Sequence, residues 1–136
     1  MSEADSDGTE VRNPEDRGHW MWLQPVHRHI RIYHGGTLLA DTGHALRVLE
    51  FGHAVLPPAL YVPPGAVRCP LRPSDAAHTY CPLKGTARYH DLAGTGERAA
   101  VGAIAWSYDE PIEAAARLAG LIAFRPERVT YVDAPP

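Results

Sequence analysis

The alternation of polar and apolar residues along this chain is typical of short β-strands. Residues 28–33 alternate with a period of two, as expected of a strand that buries one face. The turn His34-Gly35-Gly36 follows, and residues 37–41 are predicted to return as the hairpin partner, because glycine tolerates the backbone angles of tight turns. Residues 45–50 predict a third strand. The first half of the domain is therefore expected to be a run of antiparallel strands.

The second half continues this pattern. Residues 86–90 and 99–108 predict another hairpin, and residues 121–124 and 128–132 predict two closing strands. Between these pairs lies the proposed helix, over 111–119, the one segment with helical spacing.

Capping residues and prolines refine this picture. Asp109 is predicted to cap the helix and Gly120 to end it. The proline-rich passage from Pro57 to Pro73 excludes central strands, so Tyr61 and Val62 are expected in a short edge strand. The prediction is a mostly β, compact single domain of about eight short strands, with one short helix near the C-terminus.

Composition divides the N-terminal part of the chain. Residues 1–18 are acidic and nearly free of apolar side chains, so they are predicted to form a disordered acidic tail. Residues 19–27 contain Trp20 and Trp22 and are expected to be an ordered segment, packed on the domain or on a second copy as a homodimer contact. Residues 28–136 are assigned to the single β domain.

The whole composition, with 45% hydrophobic and 21% charged residues, is that of an ordinary soluble globular protein. A net charge of −3 offers no basic field for a nucleic-acid backbone, so no nucleic acid is expected as a partner. No apolar run approaches the ~20 residues of a membrane helix, so no membrane is expected either. Cys69 and Cys81 form no disulfide framework, and no signal-peptide pattern occurs, which predicts a cytoplasmic protein.

The only lysine, Lys84, lies in the most chemically capable cluster of the sequence, Cys81-Pro82-Leu83-Lys84-Gly85, whereas the other twelve basic residues are arginines. An ammonium group is compact and its pKa falls readily on burial, properties that a guanidinium lacks. Glu50 ends the strand face that begins with Leu46 and Val48, where desolvation would raise the pKa of its carboxyl group. Glu50 and Lys84 are therefore predicted to be a catalytic acid–base pair.

Aromatic and polar side chains are expected to form a pocket beside this pair. Trp106 and Tyr108 share one face of a predicted strand at the strand-to-helix junction, and Tyr89 lies on the partner strand. No paired cysteine or histidine motif occurs, so no metal and no other cofactor is expected. The predicted substrate-binding residues are Tyr61, Cys81, Tyr89, Trp106, Tyr108 and His53.

Four segments resemble the family called domain of unknown function 427, which is sometimes labelled nucleotidyltransferase-like: Ala45–Glu50, Tyr61–Pro63, Tyr80–Tyr89 and Trp106–Pro111. The resemblance runs from about Ile30 to Val132 and implies a β-tent-like fold with one short helix, but no mechanism. Nucleotidyl transfer is disfavoured by the residues themselves, because such enzymes hold Mg²⁺ and triphosphate with paired carboxylates and several basic groups.

Three functions remain open at this point. The first is a small-molecule enzyme that uses metal-free acid–base chemistry, of the lyase, isomerase or cyclase type. The second is a non-catalytic module that binds a small ligand in the same pocket. The third is a structural or interaction domain whose contact surface includes Trp20 and Trp22.

Overall fold

A computed structural model describes residues 8–134 and contains, over that range, twelve β-strands and three short 3₁₀-helical turns. The prediction of a mostly β domain is confirmed. The turns span Pro64–Ala66, Glu113–Leu118 and Pro126–Arg128. The strands are β1 (Thr9–Asn13), β2 (Asp16–Pro25), β3 (His29–His34), β4 (Thr37–Thr42), β5 (Leu46–Phe51), β6 (Ala59–Val62), β7 (Leu71–Pro73), β8 (Thr79–Cys81), β9 (Gly85–Leu92), β10 (Val101–Ser107), β11 (Ile122–Phe124) and β12 (Thr130–Ala134).

Two antiparallel sheets organise these strands. The larger sheet has the order β1-β2-β5-β6-β11-β10-β9-β7, with β8 also paired to β9, and it curls into a half-barrel. The smaller sheet has the order β12-β3-β4. The predicted hairpins β3–β4 and β9–β10 are both present, and Gly35 has the positive φ of 57° that its turn requires.

The large sheet packs a separate hydrophobic cluster on each face. Tyr61 and Val62, neighbours on β6, belong to different clusters because successive side chains of a strand point to opposite faces. The Val62 face is covered by the smaller sheet through Ile32 and Leu39. The Tyr61 face packs against the turn at Glu113–Leu118, and the candidate site lies on this face.

The prediction of a disordered tail over residues 1–18 is wrong for its second half, because β1 and the start of β2 form a hairpin there. Backbone pairing does not depend on apolar side chains, and one buried residue, Val11, anchors β1 in the core at 2% exposure. Arg12 adds a cation–π contact with Trp20, 5.2 Å from the ring centroid. Residues 1–7 of the predicted tail lie outside the described residues.

The segment predicted as a helix over 111–119 is a 3₁₀ turn, Glu113–Leu118, with non-helical backbone angles at Ala115. Asp109 is not its N-cap, because the turn starts after Ile112 without a side-chain cap, and the Ile112 backbone N–H donates to the Lys84 carbonyl. That bond holds the start of the segment against the turn that carries Lys84. Gly120 does follow the turn with a φ of 73°, as expected.

Tyr61 and Val62 were predicted at a sheet edge, but β6 lies inside the large sheet between β5 and β11. The flanking prolines stand just outside the strand, so they remove no hydrogen bond from either ladder. Over residues 8–134, the longest helical segment is far shorter than a bilayer crossing requires.

Candidate functional site

A cavity of about 320 Å³ opens on the Tyr61 face of the large sheet. Strands β5, β6, β9 and β10 supply half of its lining residues, and Leu56 and Pro57 contribute from the loop after β5. Six of the eight predicted site residues line this cavity: Glu50, Tyr61, Lys84, Tyr89, Trp106 and Tyr108.

Glu50 reaches the cavity because of the strand period on β5. Leu46 and Val48 are buried on the same face, and Glu50 continues that face at the end of the strand, opposite Met21 of β2. Its side chain is 18% exposed. The sequence prediction that this apolar face ends in a partly desolvated carboxylate is confirmed.

Lys84 is fixed by its backbone in the turn between β8 and β9. Its N–H donates to the Cys81 carbonyl at 3.1 Å, and its carbonyl accepts from the Ile112 N–H at 2.9 Å. Gly85 follows with a φ of 116°, and a Cβ there would lie only 3.3 Å from the Ile112 nitrogen. The tight turn aims the lysine side chain inward, where it is 8% exposed.

Glu50 and Lys84 form an ion pair in which the Lys84 Nζ donates to Glu50 Oε1. Burial alone would raise the pKa of Glu50, but the charge and hydrogen bond of Lys84, helped by His19, outweigh it and hold that pKa below its ordinary value. The expectation of a raised Glu50 pKa is therefore wrong, because the charges and hydrogen bonds of Lys84 and His19 together exceed the desolvation cost. Glu50 is a carboxylate at neutral pH.

His19 is a third member of this cluster and was missed from the sequence. It lies on the face of β2 that carries Met21, so it reaches Glu50 as a diagonal cross-strand neighbour. Its Nε2 donates to Glu50 Oε2 over 3.0 Å. The pair at Glu50 thus becomes a triad with one partner on each carboxylate oxygen.

A chain of hydrogen bonds fixes the tautomer of His19. The Glu15 backbone N–H donates to Asn13 Oδ1 at 3.0 Å, which turns the Asn13 amide nitrogen toward His19. That nitrogen lies 3.3 Å from His19 Nδ1, so Nδ1 accepts and the ring proton of the neutral form sits on Nε2, facing Glu50. The β1–β2 hairpin therefore orients the carboxylate of β5.

The aromatic wall of the cavity is tied together by its own polar atoms. The Trp106 indole N–H donates to the Tyr61 hydroxyl oxygen at 2.9 Å, and the two rings meet edge to face. The Tyr89 hydroxyl is paired with Thr79 Oγ1 at 2.8 Å. Burial raises the pKa of both Tyr61 and Tyr108, so both phenols stay protonated.

Two predicted binding residues lie elsewhere. His53 is 83% exposed and bonded to Asp16 Oδ2 at 2.9 Å, outside the cavity lining, because the chain leaves β5 before it and the loop carries it to the surface. Cys81 is also outside the cavity lining, but it lies close to Glu50. The Cys81 sulfur, one ring nitrogen of His19 and one carboxylate oxygen of Glu50 all lie within 4.8 Å of one another.

His19, Glu50 and Cys81 offer nitrogen, oxygen and sulfur, a donor set that zinc accepts. The Lys84 ammonium, however, occupies one Glu50 oxygen. A divalent cation at Glu50 would face this charge at close range and would have to displace it. These three residues could hold a metal only with Lys84 moved or neutral.

A second cluster, at His90, Ser107 and Asp109, has the residue types of a hydrolytic triad but not its hydrogen-bond order. The buried Ser107 hydroxyl donates to Asp109 Oδ1 at 2.8 Å and lies 2.9 Å from His90 Nε2. Its single proton is committed to Asp109, so His90 must donate to it and cannot act as its base. Ser107 is a structural link here.

Residues 22–134 match the model of a family described as Domain of unknown function (DUF427). The match contains every predicted site residue, and it begins inside β2, so that β1 and His19 lie before it. A comparison with curated proteins found no match.

Proposed function

Since the chain belongs to the DUF427 family, whose description specifies no reaction, we propose from the site itself that the protein is an enzyme acting on a small organic molecule by metal-free acid–base chemistry. The substrate would occupy the aromatic cavity, and the reaction would be of the lyase, isomerase or cyclase type. The observation that carries this proposal is the Glu50–Lys84 ion pair, held in the cavity wall by β5 and by the turn between β8 and β9.

The two groups have complementary roles in such a reaction. Glu50, ionised in the folded protein, would take a proton from an acidic C–H or O–H of the substrate. The Lys84 ammonium would then stabilise the oxyanion that forms, because it is a donor already fixed in a water-poor site. When the proton returns to a different carbon, the result is isomerisation. When the substrate carries a leaving group on the neighbouring carbon, the bond to that group breaks with its electron pair, the proton is delivered to the departing group, and the result is elimination.

His19 acts through Glu50 in this proposal. By donating to Oε2, it holds the carboxylate in one orientation and leaves the other oxygen for Lys84. Two fixed partners reduce the freedom of the base before substrate binds, which favours a productive geometry. We therefore assign His19 as a positioning residue.

The test uses hydron exchange, which needs no known product. A panel of small carbonyl compounds is incubated with the protein in D₂O, and incorporation is followed by mass spectrometry. We expect Glu50→Gln to slow exchange roughly 10²–10⁴-fold. Lys84→Arg should also be slow, because the planar guanidinium cannot occupy the ammonium's place. Exchange at the wild-type rate in Glu50→Gln would refute the proposal.

A non-catalytic binding module is the second candidate, and one observation favours it. Both Glu50 oxygens are engaged and its pKa is lowered, which makes the carboxylate a weaker base. A binding module would retain its ligand in Glu50→Gln and show no exchange in either form.

Metal independence is part of the proposal and is supported by Lys84 at Glu50. We expect protein purified without added metal to carry no stoichiometric zinc by elemental analysis. Zinc that disappears in both Cys81→Ser and His19→Gln would assign the three-residue set as a metal site instead.

A cytoplasmic location is also proposed, supported by the free thiols of Cys69 and Cys81. A homodimer through Trp20 and Trp22 has weaker support, because Trp20 stacks on Phe51 of its own chain with ring centroids 4.4 Å apart. Sedimentation of the wild type and of Trp20→Ala at several concentrations would test it.

A further inference from the structure

We propose that the ligand of this cavity is a planar, conjugated or aromatic carboxylate, bound through Arg125 and the hydroxyl groups of Tyr61 and Tyr108. The inference rests on the proposed function in placing the ligand in the same cavity, but it does not require turnover. It follows from the donors and acceptors that the cavity wall leaves unused.

Two phenols offer unused protons. The Tyr108 hydroxyl donates to no residue in the described range, although the side chain is almost fully buried. The Tyr61 oxygen accepts from the Trp106 indole N–H, so its own proton is available for another acceptor. Both phenols remain protonated across the physiological range, because burial raises their pKa values.

Arg125 supplies a positive charge to the same wall. Its Nε donates to the Ala103 carbonyl at 2.6 Å, which fixes the guanidinium and leaves its terminal N–H groups for a ligand. The guanidinium lies 5.8 Å from the centroid of the Tyr89 ring. Glu127 is its nearest carboxylate at 3.8 Å, mostly exposed, and it neutralises the charge only weakly.

The acceptors of the cavity are already engaged. Glu50 is the only carboxylate in the described lining, and its two oxygens accept from Lys84 and His19. The hydroxyl protons of Tyr61 and Tyr108 and the terminal N–H groups of Arg125 therefore find no free carboxylate in the described cavity lining. A ligand that brings oxygen acceptors and negative charge satisfies these groups, whereas a cationic or donor-rich ligand leaves them unpaired.

The shape of the wall favours a flat molecule. The polar atoms of Tyr89 and Trp106 are hydrogen-bonded to other residues, so the two side chains line the cavity with their apolar ring surfaces. A cavity of about 320 Å³ is at the small end of the range for organic ligands. One ring with a short conjugated chain and a carboxylate fits these limits.

The experiment compares three probes of one shape: trans-cinnamate, the neutral cinnamamide and the cationic cinnamylamine. Binding is measured by titration calorimetry on the full chain. We expect cinnamate to bind at least roughly tenfold more tightly than cinnamamide, as a charge-assisted hydrogen bond requires, and cinnamylamine to bind most weakly. Binding is an equilibrium readout, so it holds whether or not the probe is turned over.

Two variants and a matched control locate the effect. Arg125→Gln should remove most of the preference for cinnamate over cinnamamide, and Tyr108→Phe should weaken cinnamate by a few fold. Arg47→Gln, which changes an exposed arginine of β5 outside the cavity lining, should change neither. Because Tyr108→Phe keeps the ring, the inference stays testable even if Arg125→Gln folds poorly.

Equal binding of the acid and the amide would overturn the inference, as would tighter binding of the amine. The absence of binding by all three at concentrations on the order of 1 mM would overturn it too. If cinnamate binds as expected but the protein exchanges no hydron of any carboxylate compound in D₂O, the acid–base proposal fails and the ligand class stands. If only neutral compounds exchange their hydrons and cinnamate does not bind, the acid–base proposal stands and the ligand class fails.

Discussion

Two hydrogen-bonded clusters of this protein use the same three kinds of side chain in different surroundings. One joins His19, Glu50 and Lys84 at the cavity, and the other joins His90 to Asp109 through Ser107, with Arg88 beyond. Both contain a histidine, a carboxylate and a cation. Only the first lines a cavity with an aromatic wall.

Burial of the cation separates the two. The Lys84 side chain is 8% exposed, whereas that of Arg88, bonded to Asp109 at 2.9 Å, is 50% exposed. Water can replace the partner of an exposed charge, but not that of a buried one. The same residue types therefore form a largely buried ion pair in a cavity wall in one place and a half-exposed surface link in the other.

The largest expected difference concerns loss of the cation. Lys84→Met should lower the free energy of unfolding by about 3 kcal/mol, because it leaves the partly buried Glu50 charge without its cation. Arg88→Met should lower it by less than about 1 kcal/mol. Urea unfolding of each variant measures both. The double variant Lys84→Met/Glu50→Gln should recover part of the lost stability. Equal losses in Lys84→Met and Arg88→Met would show that burial of the cation does not distinguish the two clusters.

A smaller loss is expected when the hairpin that carries His19 is cut. Relative to a chain that begins at Gly8, removal of residues through Pro14 should cost about 2 kcal/mol, since it exposes the site of the buried Val11 and unpairs β2. The composition of residues 1–18 predicted a disordered tail, and removal of a disordered tail would leave the stability of the domain unchanged. An unchanged melting temperature after removal through Pro14 would restore that earlier prediction.

Local patterns allowed the strands to be predicted, whereas long-range pairing could not be read from them. The hairpins at Gly35 and at residues 86–108 follow from alternation and turn residues within one segment. The position of β6 between β5 and β11 depends on partners far along the chain, so Tyr61 was assigned to an edge. The segment predicted as a helix has non-helical backbone angles at Ala115, and its start is held by the hydrogen bond from Ile112 to Lys84, a long-range contact that no local pattern contains.

The site was predicted where a residue's type and its strand face agreed. Glu50 and Lys84, 34 positions apart, were chosen for the end of an apolar face and for a sole lysine, and they are in contact. His19 was missed because residues 19–27 were predicted only to be an ordered segment, without a strand, so no strand face was available to place it. Its alternation with Met21 was the one usable signal, and it required the hairpin to be recognised first.

Replacement of the histidine in each cluster should have a smaller effect, and only the change at His19 should alter hydron exchange and the pKa of Glu50. We expect His19→Gln to slow hydron exchange roughly tenfold and to raise the pKa of Glu50, because one of the two hydrogen bonds to the carboxylate is weakened. His90→Gln should change neither quantity. The Glu50 pKa can be followed by the ¹³C shift of its carboxyl carbon, and an unmoved pKa in His19→Gln would show that His19 only packs there.

The smallest expected effect is the pH dependence of stability. The two clusters should change the free energy of unfolding in different pH ranges. Lys84 and His19 hold the pKa of Glu50 below its ordinary value despite burial. The folded state therefore binds fewer protons than the unfolded one near that pKa, so the contribution of Glu50 is present above about pH 4.3 and is lost as pH falls through the folded-state value.

His90 should act at higher pH. Burial lowers its pKa, more than the nearby Asp109 and Asp91 raise it. The unfolded chain then gains a proton first, so stability falls as pH drops below about 6.5 and levels off under the lowered value. The free energy of unfolding is measured at a series of pH values from about 7.5 to 3.5. Compared with the wild type, its dependence on pH should be weaker in the upper part of this range for His90→Gln and in the lower part for Glu50→Gln. Flattening of the upper part by Glu50→Gln would mean that its pKa is raised, and that Glu50 is a protonated acid, not a carboxylate, when the protein works.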